Sequence, residues 1–140
     1  PADNDEYHQQ ILDREQCLEN VRYDGPVDPE EIYAYYEEAI ALVNTSAFEG
    51  FPNTFLEAWR VATPVISLNV PHSRLTEDAN EFGYANGDSV KMKEITDQLA
   101  EDRELCSSIG FSNQQSMETS LEISEVASQY KTAIESIMDC

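Results

Sequence analysis

Between residues 40 and 68, two short apolar runs, IALVN (40–44) and PVISL (64–68), bracket the segment NTFLEAWRV. Runs this short and this rich in β-branched residues are typical of strands buried on both faces. The segment between them has a different period. Phe55, Leu56 and Trp59 fall on one helical face, and Asn53 or Thr54 is placed to cap a helix running to about Val61. A strand, a helix and a strand joined by short connections imply a parallel pair with a crossover, and helices covering the sheet. No other feature of the chain narrows its fold as far.

The alternation extends in both directions. Tyr7, Ile11, Leu12 and Leu18 predict an amphipathic helix over roughly 5–18. NVRYDG (20–25) reads as a short strand closed by a glycine turn. DPEEIYAYYEEA (28–39) carries a helix start, with Asp28 as cap, Pro29 at the first position and Glu31 three residues after the cap. FGYAN (82–86) reads as a last, edge strand. Beyond it the pattern is helical: Ile95 and Leu99 mark one helix, Leu105 and Ile109 another. Ile123, Val126, Tyr130, Ile134 and Ile137 mark a long final one. The expected class is α/β, a Rossmann-like parallel sheet of about four strands with flanking helices. A doubly wound domain opens with a strand and a glycine-rich turn, whereas this chain opens with a helix. The N-terminal strands are therefore expected to be missing, and residues 1–140 to be a single partial domain of a longer chain.

Charge narrows the function. Twenty-eight acids oppose eight bases for a net charge of −20, and only Lys91, Lys93 and Lys131 are lysines. A basic footprint for nucleic acid is excluded on these numbers. Disorder does not fit the apolar periodicity, and a single basic partner should concentrate the acids, which are instead spread along the chain. Dispersed acids with few lysines fit a protein working in molar salt, where the Debye length falls to about 3 Å and self-repulsion is screened. No apolar run reaches the roughly 20 residues of a membrane span, and PADNDEYHQQ has no signal-peptide pattern, so a cytoplasmic domain is expected. Cys17, Cys106 and Cys140 form no C-x-x-C pair, and with only His8 and His72 beside them neither a disulfide framework nor a metal site is expected.

The densest stretch is FEGFPNTFLEAW (48–59). Strand 40–44 delivers residues 45–52 to the carboxyl end of a parallel sheet, where ligands bind in open α/β folds. Gly50 and Pro52 allow backbone to approach a ligand in a fixed shape. A helix beginning near Asn53 turns free N–H groups and its positive dipole end to the same crevice, an arrangement that suits a phosphate or diphosphate. Glu49 sits at its mouth. Glu57 lies on the second turn, about 6 Å along the axis, where a carboxylate can accept from vicinal hydroxyls such as a ribose diol. In a chain with 28 acids the spacing alone is equally compatible with two solvated carboxylates.

NTSAFEGFPNTFLEAW followed by TPVISL resembles the C-terminal domain of the retaining GT-B glycosyltransferases of family four, the glycosyl transferase group 1 domain. That family carries Glu-x7-Glu within E-G-F-P/G-x4-E-A and then G-x-P-V-I/V. Glu49, Gly50, Phe51, Pro52, Glu57, Ala58, Pro64, Val65 and Ile66 match it. NVRYDGPVDPEEIYAYYEEA and NGDSVKMKEITDQLAEDRELCSSIG resemble further segments, so the likeness runs from about residue 5 to 138. It implies a nucleotide-diphosphate-sugar donor held by Ser46, Gly50, Phe51, Pro52, Asn53, Thr54 and Glu57. Glu57 would grip the ribose, amides of 51–54 the diphosphate, and Glu49, the catalytic candidate, the donor sugar. It also implies a hexosyl transfer without metal or cofactor, and a partner N-terminal domain of the same chain that holds a glycan, lipid or glycoprotein acceptor. The full enzyme would act in the cytoplasm or peripherally at its membrane face.

Several departures qualify that likeness. Ala62 stands where the family usually has glycine, a change expected to be tolerated. NVPHSRLTED replaces a glycine-containing loop, where His72, Ser73 and Arg74 are placed to alter the donor-sugar pocket; His72 reads as a loop residue rather than a catalyst, and Arg74 as one half of a surface ion pair, with a phosphate contact as the alternative. No upstream Arg and Lys pair is present to neutralise the diphosphate, so the chain alone is expected to be inactive. The alternative is a non-catalytic binding or interaction domain that kept the fold.

Overall fold

The computed structural model describes residues 5–50, 52–75 and 79–120, together with 128, 130, 131 and 134. The chain forms two compact units, Pro1–Ile32 and Tyr33–Cys140.

In the first unit, α1 spans Asp5–Gln16. Residue 20 closes a turn and residues 21–25 form no regular element and pair with no strand, which corrects the expected strand there. The reason is local. The Tyr23 amide donates to Glu15 Oε1 at 2.7 Å, and the Tyr23 ring packs edge-on against His8 with centroids 5.4 Å apart. A side-chain acceptor on α1 thus takes the donor that a sheet ladder would use. Asp28 accepts the Glu30 amide at 2.9 Å, and its carbonyl accepts from Glu31 and Ile32, so residues 28–31 form a turn ahead of the helix.

The second unit holds the α/β layer. Helix α2 is Ile32–Glu38, β1 is Leu42–Asn44, α3 is Asn53–Arg60 and β2 is Val65–Ser67. The strands pair in parallel, with Leu42 opposite Val65, Val43 opposite Ile66 and Asn44 opposite Ser67. This is the expected strand-helix-strand unit. β2 is buried along its length, whereas Val43 is 50% exposed. The expectation that 40–44 is buried on both faces is corrected: among the described residues β1 has β2 as its one neighbour. The edge strand expected at 82–86 is a 3-10 turn, Glu81–Gly83, followed by a single parallel bridge from Tyr84 to Ser67.

Helix α4, Ser89–Glu101, is capped by Asp88, whose carboxylate accepts from the amides of Val90 and Lys91 at 2.8 and 3.1 Å. Its Met92, Ile95 and Leu99 bury one stripe against Ile66 and Ala85. Helix α5, Arg103–Ser120, follows directly, with Ile109, Gly110, Asn113 and Ser116 inward. Of the expected final helix, Ile123, Val126 and Ile137 lie outside the described residues; Tyr130 and Ile134 are helical and exposed. The architecture is α/β and Rossmann-like, a small parallel sheet flanked by helices. Among the described residues no helix is long and apolar enough to cross a membrane.

Candidate functional site

The loop after β1 is organised by a residue that the motif reading passed over. Asn44, the last residue of β1, donates from Nδ2 to Glu49 Oε2 at 2.9 Å and accepts the Ser46 amide on Oδ1 at 3.1 Å. Asn69, in the loop after β2, donates to the Ser46 carbonyl at 3.0 Å. Ser46 and Glu49 are both half-buried, and one amide side chain sets where both lie. A polar amide closing an otherwise apolar strand run was the available signal. Gly50 is exposed, and a Cβ there would meet nothing within 4 Å, so the close approach argued for it is not required by the protein itself. Phe51 lies outside the described residues.

Pro52 is the residue before α3 and it is buried. Neither Asn53 nor Thr54 caps the helix, contrary to expectation. Both stand inside its first turn, exposed, and Pro52 supplies no side-chain acceptor. Among the described residues no side chain caps this end, the kind of helix end that suits an anion.

Glu57, half-buried on the second turn, accepts from the Tyr36 hydroxyl on Oε2 at 3.1 Å. Burial of Tyr36, then its bond to the Glu57 carboxylate, push the phenol up from 10.0 to about 12. Tyr36 is itself anchored, since the Thr63 hydroxyl donates to its carbonyl at 2.7 Å. The carboxylate is thus held at one oxygen by a neutral donor. Beside it a groove of about 430 Å³ opens among Tyr33, Leu56, Glu57, Arg60, Met117 and Glu118. Asn53 reaches its rim, so the first and second turns of α3 share one cavity.

The loop after β2 differs from expectation. His72 is fully buried, its ring edge-on to Phe55 and Trp59 with centroids 5.9 and 5.5 Å away. It is a core residue beneath α3, held there because Nδ1 meets the Asn80 carbonyl at 2.8 Å while the Glu81 carboxylate accepts the His72 and Ser73 amides. Burial pulls its pKa down. Arg74 is exposed, its guanidinium donates to the Glu49 carbonyl at 3.5 Å, and it forms no ion pair among the described residues. Among the described residues no group of His, Cys, Asp and Glu converges as a metal site would require.

The structure therefore gathers Ser46 and Glu49 around Asn44, and Asn53 and Glu57 around a groove lined from α2, α3 and α5. Glu49 is held by the last residue of β1, and Glu57 stands on the second turn of the helix that follows, in the β–α connection at which open α/β folds hold ligands. The family model described as Glycosyl transferases group 1 matches residues 2–102, and the chain belongs to that family. No curated protein and no solved structure matched the chain.

Proposed function

We propose that this chain is the donor-binding, C-terminal domain of a retaining GT-B glycosyltransferase that uses a nucleotide-diphosphate sugar. The observation that supports it most is Glu57: a half-buried carboxylate, held at one oxygen by Tyr36, one turn from an uncapped helix end. Vicinal ribose hydroxyls satisfy such a carboxylate, and a diphosphate satisfies the amides of the first turn. Glu49, held by Asn44 at the mouth of the loop, then lies against the donor sugar and stabilises or positions it as its bond to the leaving diphosphate lengthens. Metal is not required for these roles.

In this reading a second domain of a longer chain holds the acceptor, a glycan, lipid or glycoprotein precursor. An Arg and Lys pair upstream in the donor domain itself, after its first strand, supplies the positive charge that the departing diphosphate needs, so residues 1–140 alone bind donor without turning it over. The whole enzyme works in the cytoplasm, or peripherally at its membrane face, in a salt-adapted organism.

Calorimetric titration of the protein with nucleoside diphosphates in high salt tests the reading. Glu57→Ala is expected to weaken nucleotide binding about tenfold or more, the loss of hydrogen bonds to a charged acceptor. In the longer enzyme, Glu49→Ala is expected mainly to lower kcat. Unchanged affinity in the first variant and unchanged rate in the second would remove both assignments.

A further inference from the structure

The groove beside Glu57 is lined by side chains of opposite charge, Arg60 and Glu118. Its shelf is apolar, built from Tyr33, Leu56 and Met117, and its volume of about 430 Å³ falls within the range of small-ligand sites. Arg60 stands over the shelf, its guanidinium carbon 6.0 Å from the Tyr33 ring centroid. Glu118, from α5, forms part of another wall. The walls are tied together, because Gln114 of α5 donates to the Arg60 carbonyl at 2.7 Å. A planar ring lying on this shelf would therefore meet a side chain that only donates and a carboxylate that only accepts.

Resting on the donor-site reading above, we infer that this groove selects a guanosine nucleotide, with Arg60 and Glu118 as its specificity-determining residues. Guanine is the one common base whose edges answer both groups. Its N7 and O6 are adjacent acceptors that take an arginine fork, and its N1–H and N2–H2 are adjacent donors that match one carboxylate. Uracil sets its single ring N–H between two carbonyls, which a carboxylate repels. Adenine and cytosine each place an amino group beside a ring acceptor, leaving one carboxylate oxygen facing a lone pair. Each mismatch removes water from a charged group without replacing its hydrogen bonds, and that penalty produces the discrimination. The ribose on Glu57 fixes where the base starts, and Asn53, the first residue of α3 and part of the same lining, marks the side from which the diphosphate leaves.

The test is calorimetric titration of the protein with GDP, UDP, ADP and CDP, in parallel with Glu118→Gln and Arg60→Ala. Glu118 and Arg60 are exposed, so these substitutions leave the fold intact, which circular dichroism checks. GDP is expected to bind at least about tenfold more tightly than the other three, the scale of one matched bidentate contact. Glu118→Gln should remove most of that preference while changing UDP affinity by less than about twofold. Equal or tighter binding of UDP, ADP or CDP would overturn the guanine assignment and leave the donor-site reading standing. A GDP preference untouched by both substitutions overturns the roles of Arg60 and Glu118. No binding of any nucleoside diphosphate overturns both readings together.

Discussion

The Tyr36 hydroxyl donates to Glu57 Oε2 across 3.1 Å, joining α2 to α3 from positions 21 residues apart in the chain. The bond needs the phenol protonated and the carboxylate ionised. Because the folded phenol is pushed from 10.0 up to about 12, folding favours its protonated form. The stability it contributes is complete below pH 10 and is lost as pH rises from about 10 to 12. Tyr36→Phe is expected to cost about 1 kcal/mol at neutral pH. It should also flatten the alkaline fall in melting temperature between pH 10 and 12. A variant whose alkaline limb matches that of the native protein would show that the bond does not couple folding to the phenol.

The end of α3 carries a small, correctable strain. Thr63 N–H bonds to the Ala58 carbonyl and Ala62 N–H to that of Trp59, at 2.9 and 3.0 Å, the two bonds of a Schellman ending. That ending places Ala62 at φ 56, a left-handed conformation suited to glycine. Ala62→Gly is therefore expected to stabilise the fold by about 1 kcal/mol, read as a rise of a few degrees in melting temperature.

The opposite substitution is forbidden close by. A Cβ on Gly110 would stand 1.9 Å from the Ala62 carbonyl oxygen, so α5 passes this turn only without a side chain. Gly110→Ala is expected to cost about 2 kcal/mol, because the atom in the way is backbone and cannot rotate aside. Chemical denaturation measures both variants, and a Gly110→Ala protein as stable as the native one would refute the contact.

These cases show which parts of the fold were legible beforehand. The β1–α3–β2 unit was readable because each element announces itself within a few residues, by an apolar run or a helical stripe. Residues 20–25 have the composition of a strand, but a strand exists only with a neighbour. The Glu15 carboxylate, eight residues back, took the Tyr23 amide instead. Glu49 and Glu57 could be picked out by motif, but their partners could not. Asn44 looks like the end of a strand and Tyr36 like a packing aromatic until the fold brings each to its carboxylate. His72 misled for a related reason. A polar residue between Pro71 and Ser73 suggests solvent, while two aromatic faces of α3 and the Asn80 carbonyl make an interior place for it.

That interior histidine gives the fold an acid limb of its own. The groups that face it are uncharged on the α3 side, where Phe55 and Trp59 stand, and its Nε2 has no hydrogen-bond partner among the described residues. The charge that acts on it among the described residues is Glu81, which is engaged with the His72 and Ser73 amides. Burial lowers the folded pKa below the ordinary 6.5, so below that pH the unfolded chain binds the proton more readily than the folded one. The stability is present above pH 6.5 and is lost as pH falls below it. Melting temperature is expected to fall from pH 7 to 5, and His72→Phe to flatten that slope even if it lowers stability at pH 7. An equal slope in the variant would assign the acid limb to carboxylates elsewhere.

Salt should act on the whole molecule. With 28 acids and eight bases, most carboxylates have no cation of their own. Arg22 pairs with Asp24 and Lys93 with Asp97 at exposed positions, where a pair adds little. The folded state therefore confines a net charge of −20, and its self-repulsion grows as the Debye length lengthens from about 3 Å at 1 M salt to about 10 Å at 0.1 M. The unfolded chain spreads the same charge over a larger volume and suffers less. Circular dichroism on stepwise desalting is expected to show helix loss below about 0.5 M salt, reversible when salt is restored. Potassium chloride and sodium chloride should be equivalent at equal ionic strength if screening is the cause. A spectrum unchanged down to 0.05 M would mean that the acidity is carried for some purpose other than folding in salt.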